Sequence, residues 1–181
     1  NRIRMMWHEM RDTVIKYFPK APGLPNDHEN YMQQVEDIYT TDAYNSLSIE
    51  RYQVTPQLIE NVRTGAWDSN NNEEHKKQRD AMAARGYWQA TQKVRETIIK
   101  ILMGKNAGEV ADADYSDWYR ELFAASVAAG ILKASDLAGY RNQQVYISNS
   151  MHVPINNNAV RDAMPALFEL LQNEPEASVR A

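Results

Sequence analysis

Apolar side chains recur at helical spacing along most of this chain, and proline or glycine cuts nearly every recurrence, so the pattern leaves room for little except a helical fold. Residues 3–18, "IRMMWHEMRDTVIKYF", form the first such segment, ended by Pro19, Pro22, Gly23 and Pro25. Asp27 then caps a helix through "ENYMQQVEDIYTTDAYNSL". In "VTPQLIENVRTG", Thr55 is the cap, Pro56 takes the first helical position and Gly65 stops the helix. A polar stretch, "WDSNNNEE", reads as a surface loop. The next helix spans about residues 73–103 and carries Met82, Tyr87, Val94, Ile98, Ile101 and Leu102. Gly86 inside it costs about 1 kcal/mol against Ala, which points to close packing there. After a loop, "GKNAGEVADAD", a helix is predicted over about residues 115–129 and ends at Gly130. Near the C-terminus "NNN" caps "AVRDAMPALFELLQ", where Pro165 is expected to kink the helix. "NEPEASVRA" starts a last helix with Pro175 at its first position and Glu176 complementing the dipole.

One stretch breaks the helical period. In "RNQQVYISNSMHVPI", residues 141–155, Val145 and Ile147 alternate with Gln144, Tyr146 and Ser148, "SNS" supplies a turn, and Pro154 confines the returning strand to an edge. The expected fold class is therefore all-α with one β-hairpin. A lone hairpin is marginally stable in water, so it must lean on the helices, and its open edge is either a hazard or a means of recognition.

Composition narrows the function. With 181 residues, 43% of them hydrophobic, the chain can bury one sizeable core. Its net charge of -4 comes from interspersed acids and bases without a basic face, which argues against nucleic acid as a partner. No cysteine is present, so disulfides, thiolate nucleophiles and zinc-thiolate sites are excluded together, in keeping with a cytoplasmic location. The longest apolar run, "LFAASVAAGIL", is well short of the roughly 20 residues a membrane span needs. The chain starts at Asn1 without a signal-peptide pattern and stops just after a helix start, so more sequence is expected on both sides.

Residue chemistry alone shows no active site. His8, His28, His75 and His152 have no metal-binding spacing with one another or with a carboxylate pair. "GKNAG" follows a helix and lacks the lysine-serine or lysine-threonine pair of a phosphate loop; it reads as a cap and turn. "GYWQAT" and "WYRELF" read as core packing, and Asp112 and Asp114 as dipole partners before a helix.

A resemblance adds to this reading. Residues 136–181, "DLAGYRNQQVYISNSMHVPINNNAVRDAMPALFELLQNEPEASVRA", look like the flap and following helix of Fic-domain proteins, the Fic/Doc family of protein adenylyltransferases. Upstream, "IYTTDAYNSLSIERYQVTPQLI" and "AMAARGYWQA" resemble the helical part that precedes them in that family. The resemblance implies a helical Fic-type fold, incomplete here, and a parent protein that transfers AMP from ATP to a hydroxyl of a target protein using Mg²⁺. The signature loop, H-P-F-x-D-G-N-G-R or a close variant, is not among these residues. Its histidine, acid, phosphate cradle and arginines therefore have no counterpart in the chain, and neither ATP nor Mg²⁺ is expected to bind this part alone.

What the resemblance does assign is recognition and control. Val145, Tyr146 and Ile147 on one strand, with His152 and Val153 on the other, would form a flap holding an extended target segment by β-augmentation. "SLSIER", residues 46–51, resembles the family's inhibitory motif: Ser or Thr, three residues, Glu, then Gly or Asn, on a helix. Glu50 would pair with an arginine of the loop and hold the enzyme off, while Ser46, one helical turn away on the same face, helps to fix it. Arg51 stands at the position of Gly or Asn. The bare spacing also occurs in "SNNNE", residues 69–73, which reads as loop. The implied division is inhibitory helices at 1–54, packing helices at 55–134, and the flap with the start of the catalytic core at 135–181. The partner is a target-protein segment, with no membrane and with homo-oligomerisation left open. A non-catalytic helical module that grips a partner with the hairpin edge is the alternative.

Overall fold

The computed structural model describes residues 2–67 and 75–181, and it is helical. The α-helices are α1 (Arg2–Tyr17), α2 (His28–Ile49), α3 (Pro56–Arg63), α4 (His75–Leu102), α5 (Ala107–Ala128), α6 (Asn157–Asn173) and α7 (Ala177–Arg180), with a short 3-10 turn at Ala134–Leu137. No described helix is long and apolar enough to cross a membrane. Most of "WDSNNNEE", including "SNNNE", lies outside the described residues.

The predicted caps do their work. Asp27 Oδ1 accepts from Asn30 N at 2.9 Å, Thr55 Oγ1 from Leu58 N at 3.1 Å, and Asn156 Oδ1 from Asn158 N at 2.9 Å. The start of α5 differs from expectation. Asn106 Oδ1 accepts from Gly108 N and Glu109 N, so the helix begins at Ala107 and takes in most of the stretch read as loop. α6 runs on through Pro165, and Pro175 lies outside the short α7.

The chain forms two compact units. One comprises residues 25–103 and 114–137. Its core joins Tyr39, Ala43 and Leu47 of α2 to Val54, then Ile59 and Val62 of α3 and Ala83 and Ala84 of α4. Tyr52, Leu58, Trp67, Tyr87 and Trp88 pack around them, with the Tyr39 and Trp88 rings edge to face at 4.8 Å. Gly86 fulfils its expected role: a Cβ there would lie 1.9 Å from the Leu122 carbonyl oxygen, so only glycine lets α4 and α5 approach this closely.

The other unit comprises residues 1–24, 104–113 and 138–181, in which α1 packs on α6 and α7. Glu174, 6% exposed, is the pin. Its carboxylate accepts from Arg11 Nε at 2.8 Å, Arg11 Nη2 at 3.1 Å, Trp7 Nε1 at 3.2 Å and Glu176 N at 3.0 Å. The Arg11 hydrogen bond, which outweighs burial, brings its pKa down to about 2. Gly108 has a second close approach, with an added Cβ 2.3 Å from Gln172 N.

The predicted hairpin is corrected: no strand forms between residues 141 and 155. The segment does reverse direction, with Ser150 N donating to Ile147 O at 3.2 Å and Asn149 left-handed at φ 58°. Side chains, not a backbone ladder, then tie the two arms together. Arg141 Nη2 donates to Ile155 O, and Gln144 Nε2 to Pro154 O at 3.2 Å. Two physical reasons stand out. Pro154 has no N–H to give, and Val145, Tyr146 and Ile147 are all exposed, so the alternating pattern has no buried face to reward strand pairing.

Candidate functional site

The residues singled out from sequence fall in two places, one in each unit. Ser46 and Glu50 belong to the C-terminal turn of α2. Glu50 is the C-cap, donating its N–H to Ser46 O at 3.3 Å. Arg51 N bonds Ser48 O at 2.9 Å and Tyr52 N bonds Leu47 O at 3.0 Å, the paired bonds of a Schellman motif. That motif requires its first residue beyond the cap to be left-handed, and Arg51 has φ 66°. Glycine, and after it asparagine, adopts this conformation at least cost. Tyr52 is held to α4 by Arg79, whose guanidinium lies 5.1 Å from the ring centroid.

Beneath this turn lies a cavity of about 560 Å³, with Ser46, Glu50, Tyr52 and Tyr87 on its wall and Leu47, Leu122 and Phe123 supplying apolar surface. Ser46 is half-buried and Glu50 exposed at the rim. Among the described residues, Glu50 is the only carboxylate in the lining, and none of them there is Lys or Arg. Among the described residues no group of three or more acids or histidines converges in the manner of a metal site.

Tyr87 was expected only to pack. It also reaches two side chains of α2: Asp42 Oδ2 lies 2.6 Å and Ser46 Oγ 3.1 Å from its hydroxyl oxygen. The phenol has one proton and a carboxylate can only accept, so Tyr87 donates to Asp42 and accepts from Ser46. Burial first, then the Asp42 hydrogen bond, pushes the phenol above its ordinary pKa and keeps that proton in place. An aromatic with a polar tip on a core face was the signal available in the sequence; its partners, 45 and 41 residues away, were not.

The second place is the 141–155 loop. Val145, Tyr146, Ile147, His152 and Val153 are all exposed, Tyr146 by 76%. His152 N donates to Ser150 Oγ at 3.1 Å, and Val153 O accepts from Arg2 Nη1 at 3.3 Å. This is a tethered loop with apolar side chains outward and most of its main chain outside any ladder. No protein-family model, curated protein or solved structure matches the chain.

Proposed function

We propose that this chain is the regulatory and target-docking part of a Fic-type protein adenylyltransferase. One observation carries the reading: the backbone at Arg51 has the left-handed conformation natural to Gly or Asn, at the position where the inhibitory motif has Gly or Asn, directly after Glu50. The conformation gives a physical reason for that motif position, and it supports Ser46 to Glu50 over a chance match of spacing. Glu50, exposed at the end of a capped helix, serves as the brake by pairing with a cation of the signature loop. AMP transfer itself belongs to residues outside this chain, with ATP and Mg²⁺ bound there.

The 141–155 loop serves as the flap. Its open main chain offers donors and acceptors to an extended target segment, and its exposed apolar side chains offer contact area without demanding one sequence. The reading places the protein in the cytoplasm, without nucleic acid or membrane as partner.

The test is transfer of label from the α-phosphate of ATP to protein, with Mg²⁺, by the protein extended through the signature loop, compared with its Tyr146→Pro variant. Transfer by the parent and a marked loss in the folded variant, which lacks one backbone donor, are expected. Equal transfer would remove the docking role of Tyr146, and no transfer to any protein would favour the interaction module.

A further inference from the structure

Tyr87 of α4 bonds two side chains of α2, Asp42 and Ser46. Its backbone is fixed: Gly86, its neighbour, abuts the Leu122 carbonyl, and the Tyr87 carbonyl accepts from Thr91 Oγ1 at 2.8 Å. Its ring lines the cavity beneath Glu50 and also a second cavity of about 480 Å³ bordered by α2, α4 and α5. The end of α2 is the looser partner. Ile49 is 79% exposed, Glu50 and Arg51 are exposed, and Arg51 is strained at φ 66°. Only Leu47 and Ser46 of the last turn face inward.

We infer that Tyr87 is the positioning residue of the inhibitory turn, and that the relay from Ser46 Oγ–H to Tyr87 Oη–H to the Asp42 carboxylate sets where Glu50 points. This rests on the brake reading above. The relay reaches the rigid helix α4 from two successive turns of α2, because Asp42 and Ser46 are four residues apart and share a face. Two anchors one turn apart fix both the rotation and the axial position of the helix end. A single contact at Ser46 would leave the last turn free to fray, as helix ends do. The half-burial of Ser46 makes its hydrogen bond worth keeping, since an unpartnered hydroxyl there loses water as well.

Two linked measurements test this. In the chain itself, amide hydrogen exchange is read at Glu50, Arg51 and Tyr52, whose N–H groups close the turn. Ser46→Ala, which removes one hydrogen bond of the relay, speeds exchange there roughly fivefold, and Tyr87→Phe, which removes both, speeds it at least as much, while Ser46→Thr, which keeps the hydroxyl, does not. In the protein extended through the signature loop, Tyr87→Phe raises AMP transfer when Glu50 is present and adds nothing to Glu50→Gly. Ser46→Ala serves equally if the phenylalanine variant is poorly folded. Unchanged exchange overturns the relay. Raised transfer with Glu50→Gly but not with Tyr87→Phe or Ser46→Ala overturns the positioning role and spares the brake. No increase with Glu50→Gly removes the brake itself, and the positioning role with it.

Discussion

Replacing Arg51 by glycine should stabilise the protein. The left-handed conformation costs an L-residue roughly 1–2 kcal/mol, because Cβ crowds the following carbonyl, and Arg51 bears that cost at φ 66°. Glycine removes the strain but loses about 0.5–1 kcal/mol more backbone entropy on folding. The difference is a net gain of about 0.5–1 kcal/mol, or an increase in Tm of about 1–4 °C for a chain of this size. Thermal and urea unfolding, followed by circular dichroism, measure it. Arg51→Asn should gain less, and Arg51→Ala should stay within about 0.5 kcal/mol of the parent, because alanine is strained in the same way. If alanine gained as much as glycine, loss of the arginine side chain would be the cause and not φ. A destabilised glycine variant would refute the strain reasoning outright.

Gly86→Ala and Gly108→Ala should each destabilise by roughly 1–3 kcal/mol or more, because the added methyl meets backbone atoms that cannot step aside; a neutral urea midpoint at either site would show that the helices can part there. Glu174 titrates at about 2 in the fold against an ordinary 4.5, so the stability it contributes is complete above pH 4.5 and is lost as pH falls towards 2. Glu174→Gln should therefore lower stability at pH 7, by about 2 kcal/mol, and flatten the acid limb of the stability profile; an unchanged limb would place the acid sensitivity elsewhere. Arg141→Ala should speed amide exchange across residues 141–155 by releasing Ile155 O, and retained protection would mean that the remaining ties, Gln144 to Pro154 O and Asn157 to Asn142 O among them, hold the arms.

The helices were legible because their signals are local. Asp27, Thr55 and Asn156 cap the elements they were expected to cap, and Gly65, Gly104 and Gly130 all have positive φ at helix ends. Where packing decides, the signals misled. Gly108, in the stretch read as a cap and turn, lies within α5, where its missing side chain admits the backbone at Gln172. The alternation at Val145 and Ile147 was real, but alternation stabilises a strand only when one face is buried, and here neither is. Glu174 carries no signal of its own in the sequence; its partner Arg11 is 163 residues away, beyond any local pattern. At the site, spacing and resemblance drew attention to Ser46 and Glu50. The Tyr87 link that ties Ser46 to α4 depends on tertiary structure.

The most direct measurement is the intact mass of the protein extended through the signature loop after incubation with ATP and Mg²⁺, for the parent and for Glu50→Gly. A gain of AMP that is greater in the variant is the expected result, joining the transferase to its brake. Equal labelling of the two would contradict the role given to Glu50, and no labelling of either, or of any added protein, would contradict the adenylyltransferase reading itself.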